Sequence, residues 1–219
     1  MPPATPGKTP PLASDLKTRI RRRIEDHAPF GVWTPVDFLD LGNRDAIDKA
    51  LQRLARAGEI RRIERGLYDK PHTSRLTGKL TAPDYREIIA TLSRRDQTRM
   101  LVDGMTAAND LGLTDAVPAH VVVHTDARRR SLRLGNLVID FKRTAPSRLY
   151  WAGRPAMRVV QALHWLKDLM PAEHPRIVRR LHELLADPVR GPVIREDLRK
   201  GMPALPTRMQ QLVSELLDT

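Results

Sequence analysis

The sequence predicts an α+β fold in two parts, and three observations lead there. A short capped helix and a longer capped one, joined by a Gly-Asn turn, run directly into an arginine-bearing hairpin. The second half carries β-branched runs around another tight turn. Helical apolar stripes then fill the C-terminal stretch. The expected architecture is an N-terminal winged helix-turn-helix followed by a mixed α/β C-terminal domain with a small antiparallel sheet and C-terminal helices. The boundaries read as a disordered Pro-rich tail over 1–13, the winged helix-turn-helix over 14–75, a connector over 76–83 and the C-terminal domain over 84–219.

Residues 1–13 hold Pro2, Pro3, Pro6, Pro10 and Pro11 with little to bury, which predicts disorder. From Ser14, a plausible N-cap, Leu16, Ile20 and Ile24 recur at helical spacing, so a first helix ends near His27 to Gly31. Val32-Trp33 reads as a short extended piece. Thr34-Pro35-Val36-Asp37 supplies an N-cap, a proline suited to the first helical position and a carboxylate near the free amides of a helix start. A short second helix over 35–41 is expected, closed by Gly42. Asn43 can cap a third helix, in which Ile47, Ala50, Leu51 and Leu54 share a face and Gly58 is the stop. Ile60 to Ile63 and Leu67 to Asp69, with Gly66 at the turn between them, read as a hairpin.

Beyond the connector, Asp84 to Ser93 and Thr106 to Leu113 look helical. His120 to Thr125 is strand-like. Ser131 to Leu134 and Leu137 to Lys142, separated by Gly135-Asn136, form the clearest hairpin in the chain. Three helical sets follow, built on Met157, Val160, Leu163 and Leu166, on Ile177, Val178, Leu181 and Leu185, and on Met209, Leu212, Val213 and Leu216. Proline and glycine from 171 to 206 read as punctuation between them.

Composition narrows function. The 219 residues carry 38 Lys and Arg against 26 Asp and Glu, a formal charge of +12, so a polyanion is the first partner to consider. The excess is shared equally, since residues 1–80 and 81–219 each hold +6. Without cysteine there is no disulfide framework, cysteine-ligated zinc, iron–sulfur cluster or thiol nucleophile. Aromatics at 4% disfavour a base-stacking platform for single strands. Neither a secretory signal nor a membrane-length apolar run stands in the sequence, so a cytoplasmic protein with no membrane partner is expected.

With its apolar stripe inward, the third helix turns Lys49, Gln52 and Arg56 outward with Asp45, flanked by Asp48 and Arg53. Arg, Lys and Gln reach base edges in the major groove, and Asn43 and Arg44 sit at the helix start, where such helices touch bases or phosphates. Arg61, Arg62 and Arg65 on the hairpin suit phosphate contact or minor-groove entry. The plainer alternative is a solvated amphipathic helix; the ordered run of capped helix, turn, capped helix and hairpin favours nucleic acid. Arg21 to Arg23 on the first helix read mainly as a solvated face.

Other constellations are weaker. His120 and His124 share a strand face but lack a third ligand nearby. Asp140 and Lys142, with Asp126 upstream, resemble the acid–lysine arrangement of a magnesium-dependent nuclease, without a well-placed companion carboxylate. No phosphate-cradling glycine loop and no nucleophile elbow occur, so no enzyme, catalytic residue, metal ligand or cofactor is expected. The Arg128, Arg129, Arg130 and Arg133 cluster finds no assignment. A protein-docking or RNA-docking role for the basic C-terminal helices is a third possibility.

Gly31 to Arg44 (GVWTPVDFLDLGNR), followed by Ala50 to Asp69 (ALQRLARAGEIRRIERGLYD), resembles the start of the AbiE-type antitoxin regulators (AbiEi family) of type IV toxin–antitoxin operons. The likeness is dense over about 16–83, including Leu76-Thr-Gly-Lys-Leu80, and thins beyond. It implies a repressor of its own operon that binds double-stranded DNA at promoter repeats. It also implies opposition to a co-encoded nucleotidyltransferase-like toxin, with no stable complex required. By position, Arg44, Lys49, Gln52, Arg53 and Arg56 match the recognition helix, and Arg61, Arg62 and Arg65 the wing. A winged-helix transcription factor without a toxin is the alternative within this class.

Overall fold

The computed structural model describes residues 15–27, 31–75, 78–115, 120–166 and 170–218. The tail expected over 1–13, and Leu76 and Thr77 of the connector, lie outside them. The fold is mixed α+β, with two small sheets in two compact units that meet in sequence between Thr91 and Leu92. That division falls inside a helix, past the 83/84 boundary that composition suggests. The Thr91 hydroxyl donates to the Val32 carbonyl at 3.4 Å, which ties the middle of this helix to the first unit.

The first unit opens with α1 (Leu16–Asp26), whose Ile20 and Ile24 are buried. β1 (Val32–Trp33) follows and leads into a 3₁₀ turn at Pro35–Phe38. Thr34 caps the turn as expected, and with Asp37 it forms a reciprocal box in which Asp37 accepts from the Thr34 amide at 2.7 Å. The second helix expected to reach Leu41 is this single turn. Its buried residues, Pro35 and Phe38, are three apart, and a 3₁₀ turn stacks that spacing directly.

α2 (Arg44–Arg56) starts as anticipated, with the Asn43 side chain accepting from the Ala46 amide at 2.9 Å. Ile47, Leu51 and Leu54 are fully buried beside Ile20, Ile24, Phe38 and Trp33, so the stripes read from the sequence converge on one core. β2 (Arg61–Glu64) and β3 (Leu67–Asp69) form the hairpin, with Gly66 at φ +70° in its turn, and β1 adds on the far side of β3. The 76–83 stretch is more than a connector where it is described. Thr73 bridges Leu80 in antiparallel fashion, and the Thr81 amide donates to the His72 carbonyl at 2.8 Å.

α3 (Tyr85–Asp96) crosses the division. The second unit then builds β4 (Met100–Val102), α4 (Gly104–Asp110), β5 (His120–Thr125), β6 (Leu132–Leu134) and β7 (Leu137–Arg143). α4 begins two residues earlier than expected because Asp103 caps it, accepting from the Thr106 amide at 2.9 Å and also from the Val122 amide on β5.

The strand order is β4-β5-β7-β6, and here the expectation of an antiparallel sheet is corrected: β5 and β7 pair in parallel over six residues. The Gly135-Asn136 hairpin holds as read, with Leu134 opposite Leu137. The loop after β5, however, carries the chain past one strand position, and β7 fills the gap. β7 brings Ile139 against Val121, both fully buried, which suits it to the central place that β6 does not take.

α5 (Met157–Leu166), α6 (Met170–Leu185) and α8 (Thr207–Leu217) carry the three apolar sets. Between the last two lies α7 (Gly191–Gly201), which the sequence reading misses by taking Gly191-Pro192 as a break. Proline in the first turn begins a helix as readily as it ends one. Both end glycines are there for close approach: a Cβ at 191 would strike the Leu185 carbonyl, and one at 201 the Trp151 ring.

Candidate nucleic-acid interface

The core packing of α2 decides what it presents outward. With Ile47, Ala50, Leu51 and Leu54 inside, Asn43, Arg44, Asp45, Lys49, Gln52, Arg53 and Arg56 are exposed. Arg44 reaches Asp48 one turn on at 3.1 Å, a surface pair of little energetic weight that a phosphate can displace. The side chains of Lys49, Gln52, Arg53 and Arg56 make no hydrogen bond or ion pair among the described residues. A shallow hollow of about 530 Å³ lies at the helix start between Asn43, Arg44, Asp45, Ala46 and Lys49.

The hairpin separates its three arginines. Arg62 and Arg65 are exposed, and the backbone turn with Gly66 lifts Arg65 to the tip. Arg61 differs in being engaged within the fold. Its Nε donates to Asp69 Oδ1 at 2.9 Å, its Nη2 to Asp69 Oδ2 and its Nη1 to the Thr81 carbonyl at 3.1 Å. Asp69 is 5% exposed, so this guanidinium neutralises a buried carboxylate and fastens the hairpin to the segment after it.

The arginines of α1 divide in the same way. Arg21 holds Glu59 through two nitrogens, one of them at 2.9 Å, and Lys17 joins at 2.9 Å. These hydrogen bonds, Arg21 first and Lys17 second, draw the Glu59 carboxyl down to about 2. Arg23 holds Asp40 bidentately at 2.6 Å and lowers that carboxyl as well. Arg21 and Arg23 are therefore bracing groups, and Arg22 is the solvated one of the three.

Two exposed apolar residues of the first unit went unnoticed in the sequence. Val36 and Leu39, on and just after the 3₁₀ turn that leads into α2, are 54% and 46% exposed. The signal was present in the spacing, since neither falls on the Pro35 and Phe38 pair that turns inward.

In the second unit, the weaker constellations come apart. His120 and His124 stand roughly 13 Å apart along β5 and keep different company. His120 faces Asp140 at 3.4 Å and His124 faces the Thr144 hydroxyl at 3.0 Å. Asp140 is held first by the Ser131 hydroxyl and then by His120, and both lower its carboxyl. Asp126, the nuclease companion considered for it, accepts from the Arg99 amide at 3.1 Å. Among the described residues no group of three or more His, Asp and Glu is placed to hold a metal ion. The arginine cluster also splits. Arg129 is tucked in, pairing with Asp96 and lying 5.1 Å from the Phe141 ring centre, while Arg128, Arg130 and Arg133 are exposed. No described helix is long and apolar enough to cross a membrane.

Comparison with known proteins gives a family and distantly similar solved structures. The family described as a family of unknown function (DUF6088) matches residues 19–182. No curated protein matches the chain. Among solved structures, the crystal structure of the RV2827C protein from Mycobacterium tuberculosis is similar at 20% identity and a TM-score of 0.43. The likeness covers 93% of this chain and 76% of that one.

Proposed function

The chain belongs to the DUF6088 family of unknown function, and within it we propose a sequence-specific reader of double-stranded DNA. The N-terminal unit acts as a winged helix-turn-helix. α2 enters the major groove with Arg44, Lys49, Gln52, Arg53 and Arg56, while Arg62 and Arg65 on the hairpin contact phosphates as the wing. Asn43 caps the reading helix and so fixes where its first turn stands.

One observation carries this reading. Lys49, Gln52, Arg53 and Arg56 stand exposed and unpartnered among the described residues, on the helix whose other face is the core. A merely solvated helix tends to pair its long cations with carboxylates one turn away, and α2 does so only at Arg44 and Asp48. Three of the unit's other arginines, Arg21, Arg23 and Arg61, are by contrast engaged with carboxylates.

The resemblance of residues 16–83 to AbiEi regulators supports a biological setting: repression of the protein's own operon at promoter repeats, and antagonism of a co-encoded nucleotidyltransferase-like toxin. A mobility shift of the gene's own upstream region against a scrambled duplex tests the first part, and equal retardation of both contradicts it. Co-expression with the adjacent reading frame tests the second. Growth arrest relieved by this chain supports antagonism, and arrest unrelieved by it leaves a DNA regulator without a toxin.

A further inference from the structure

β5 and β7 run parallel as neighbours, so the chain leaves both at the same edge of the sheet. Ligands of open α/β sheets settle outside the carboxyl ends of such strands. A cleft of about 590 Å³ opens at this edge, within the range of small-molecule sites. His124 near the end of β5 and Thr144 directly after β7 form its floor. A 3₁₀ turn at Pro146–Leu149 brings Ser147 and Arg148, and α5 brings Gln161 and His164.

Three features define what fits. First, among the described residues no aspartate or glutamate lines the cleft, whereas Arg148, Ser147 and Gln161 offer donors suited to an anion. Second, Tyr150 lends an aromatic wall that is 42% exposed yet fixed in place. It meets Trp151 edge-on with ring centres 5.2 Å apart, and the Arg154 guanidinium lies 4.5 Å from its ring centre. Arg154 is itself pinned by the buried Asp197. A planar group can stack on such a ring without first having to order it. Third, burial, reinforced by Lys142, lowers the His124 imidazole, so a neutral ring with hydrogen-bonding capacity for an uncharged polar edge lies at the floor.

We propose that this cleft binds a nucleoside 5′-monophosphate, with the base stacked on Tyr150 and the phosphate on Arg148 and Ser147. A bare phosphate would leave the aromatic wall unused, and a nucleoside would leave Arg148 unpaired. The site lies wholly within the second unit and does not depend on the DNA reading of the first.

Titration calorimetry on the full chain tests it, with AMP, adenosine and inorganic phosphate as probes. Saturable AMP binding is expected, with adenosine and phosphate each weaker by about tenfold or more. Arg148→Ala and Tyr150→Leu should each weaken AMP by about tenfold, with melting curves confirming that both variants fold. Arg199→Ala, on the exposed side of α7, should bind AMP like the parent. The proposal is overturned if AMP, GMP, CMP and UMP all fail to bind at millimolar concentration. It is equally overturned if Arg148→Ala binds AMP undiminished, or if Arg199→Ala loses as much as Arg148→Ala, which would mark diffuse attraction to a basic protein.

Discussion

Arg61 and Asp69 stand directly opposite each other on β2 and β3, and the guanidinium of one closes bidentately on the buried carboxylate of the other. The pair turns one of three neighbouring hairpin arginines from a candidate ligand contact into a structural tie. Arg61→Ala would leave Asp69 charged, buried and unpaired, so a loss of about 1–3 kcal/mol of stability is expected, discounted because Arg61 itself is partly solvated. Urea unfolding measures it. Preference for one DNA sequence over another should be unchanged in the folded fraction, and a relaxed preference would return Arg61 to the reading surface.

The other outward residues should sort by role. On the proposed reading, in which they face base edges, Lys49→Ala and Gln52→Ala are each expected to cost about 1–3 kcal/mol on the preferred duplex and little on random DNA. Arg62→Ala and Arg65→Ala should weaken all duplexes alike and reduce the salt dependence by about one each. Paired titrations on the upstream region and a scrambled duplex separate the two patterns.

Glu59 makes stability depend on acid. Its carboxyl is drawn from an ordinary 4.5 to about 2 by Arg21 and Lys17. Between those values the unfolded chain takes up a proton that the folded chain still refuses. The stabilisation is therefore complete above about 4.5 and is lost as pH falls toward 2. The Tm difference between the parent and Glu59→Gln should be largest near neutral pH and shrink through that window. A difference that is constant with pH would show that the braces do not act through charge.

Gly104 opposes helix propensity against packing. Alanine in the first turn of α4 should gain about 0.5–1 kcal/mol from propensity. Its Cβ, however, would collide with the Gln161 carbonyl and the Trp165 Cβ on α5, and overpacking against backbone costs about 1–3 kcal/mol. Net destabilisation of Gly104→Ala by thermal melting is expected. A higher Tm would mean that α4 and α5 can separate freely.

What the sequence disclosed was local, and what it hid was relational. The Asn43 cap, the Ile47 to Leu54 stripe and the Gly66 turn follow from spacing within a few residues, and all stand where expected. The Arg61 pairing depends on which residue lies across a hairpin that shifts register between Arg62 and Glu64, which spacing along one strand does not encode. The parallel pairing of β5 with β7 is likewise non-local, because the Gly135-Asn136 turn specifies only the β6–β7 hairpin. α7 was hidden by chemistry with two meanings, since Gly191-Pro192 serves a turn and a helix start equally well.

The most direct test of DNA reading by α2 is fluorescence anisotropy of the full chain on its own upstream duplex and on a scrambled one across a range of salt. On the proposed reading about six cations, Arg44, Lys49, Arg53, Arg56, Arg62 and Arg65, neutralise phosphates or reach bases, so a slope of log K against log salt of roughly −5 is expected. A preference of about 10³-fold or more for the upstream duplex should accompany it. Equal affinity for both duplexes, or a slope near zero, would contradict the assignment of α2 as a reading helix.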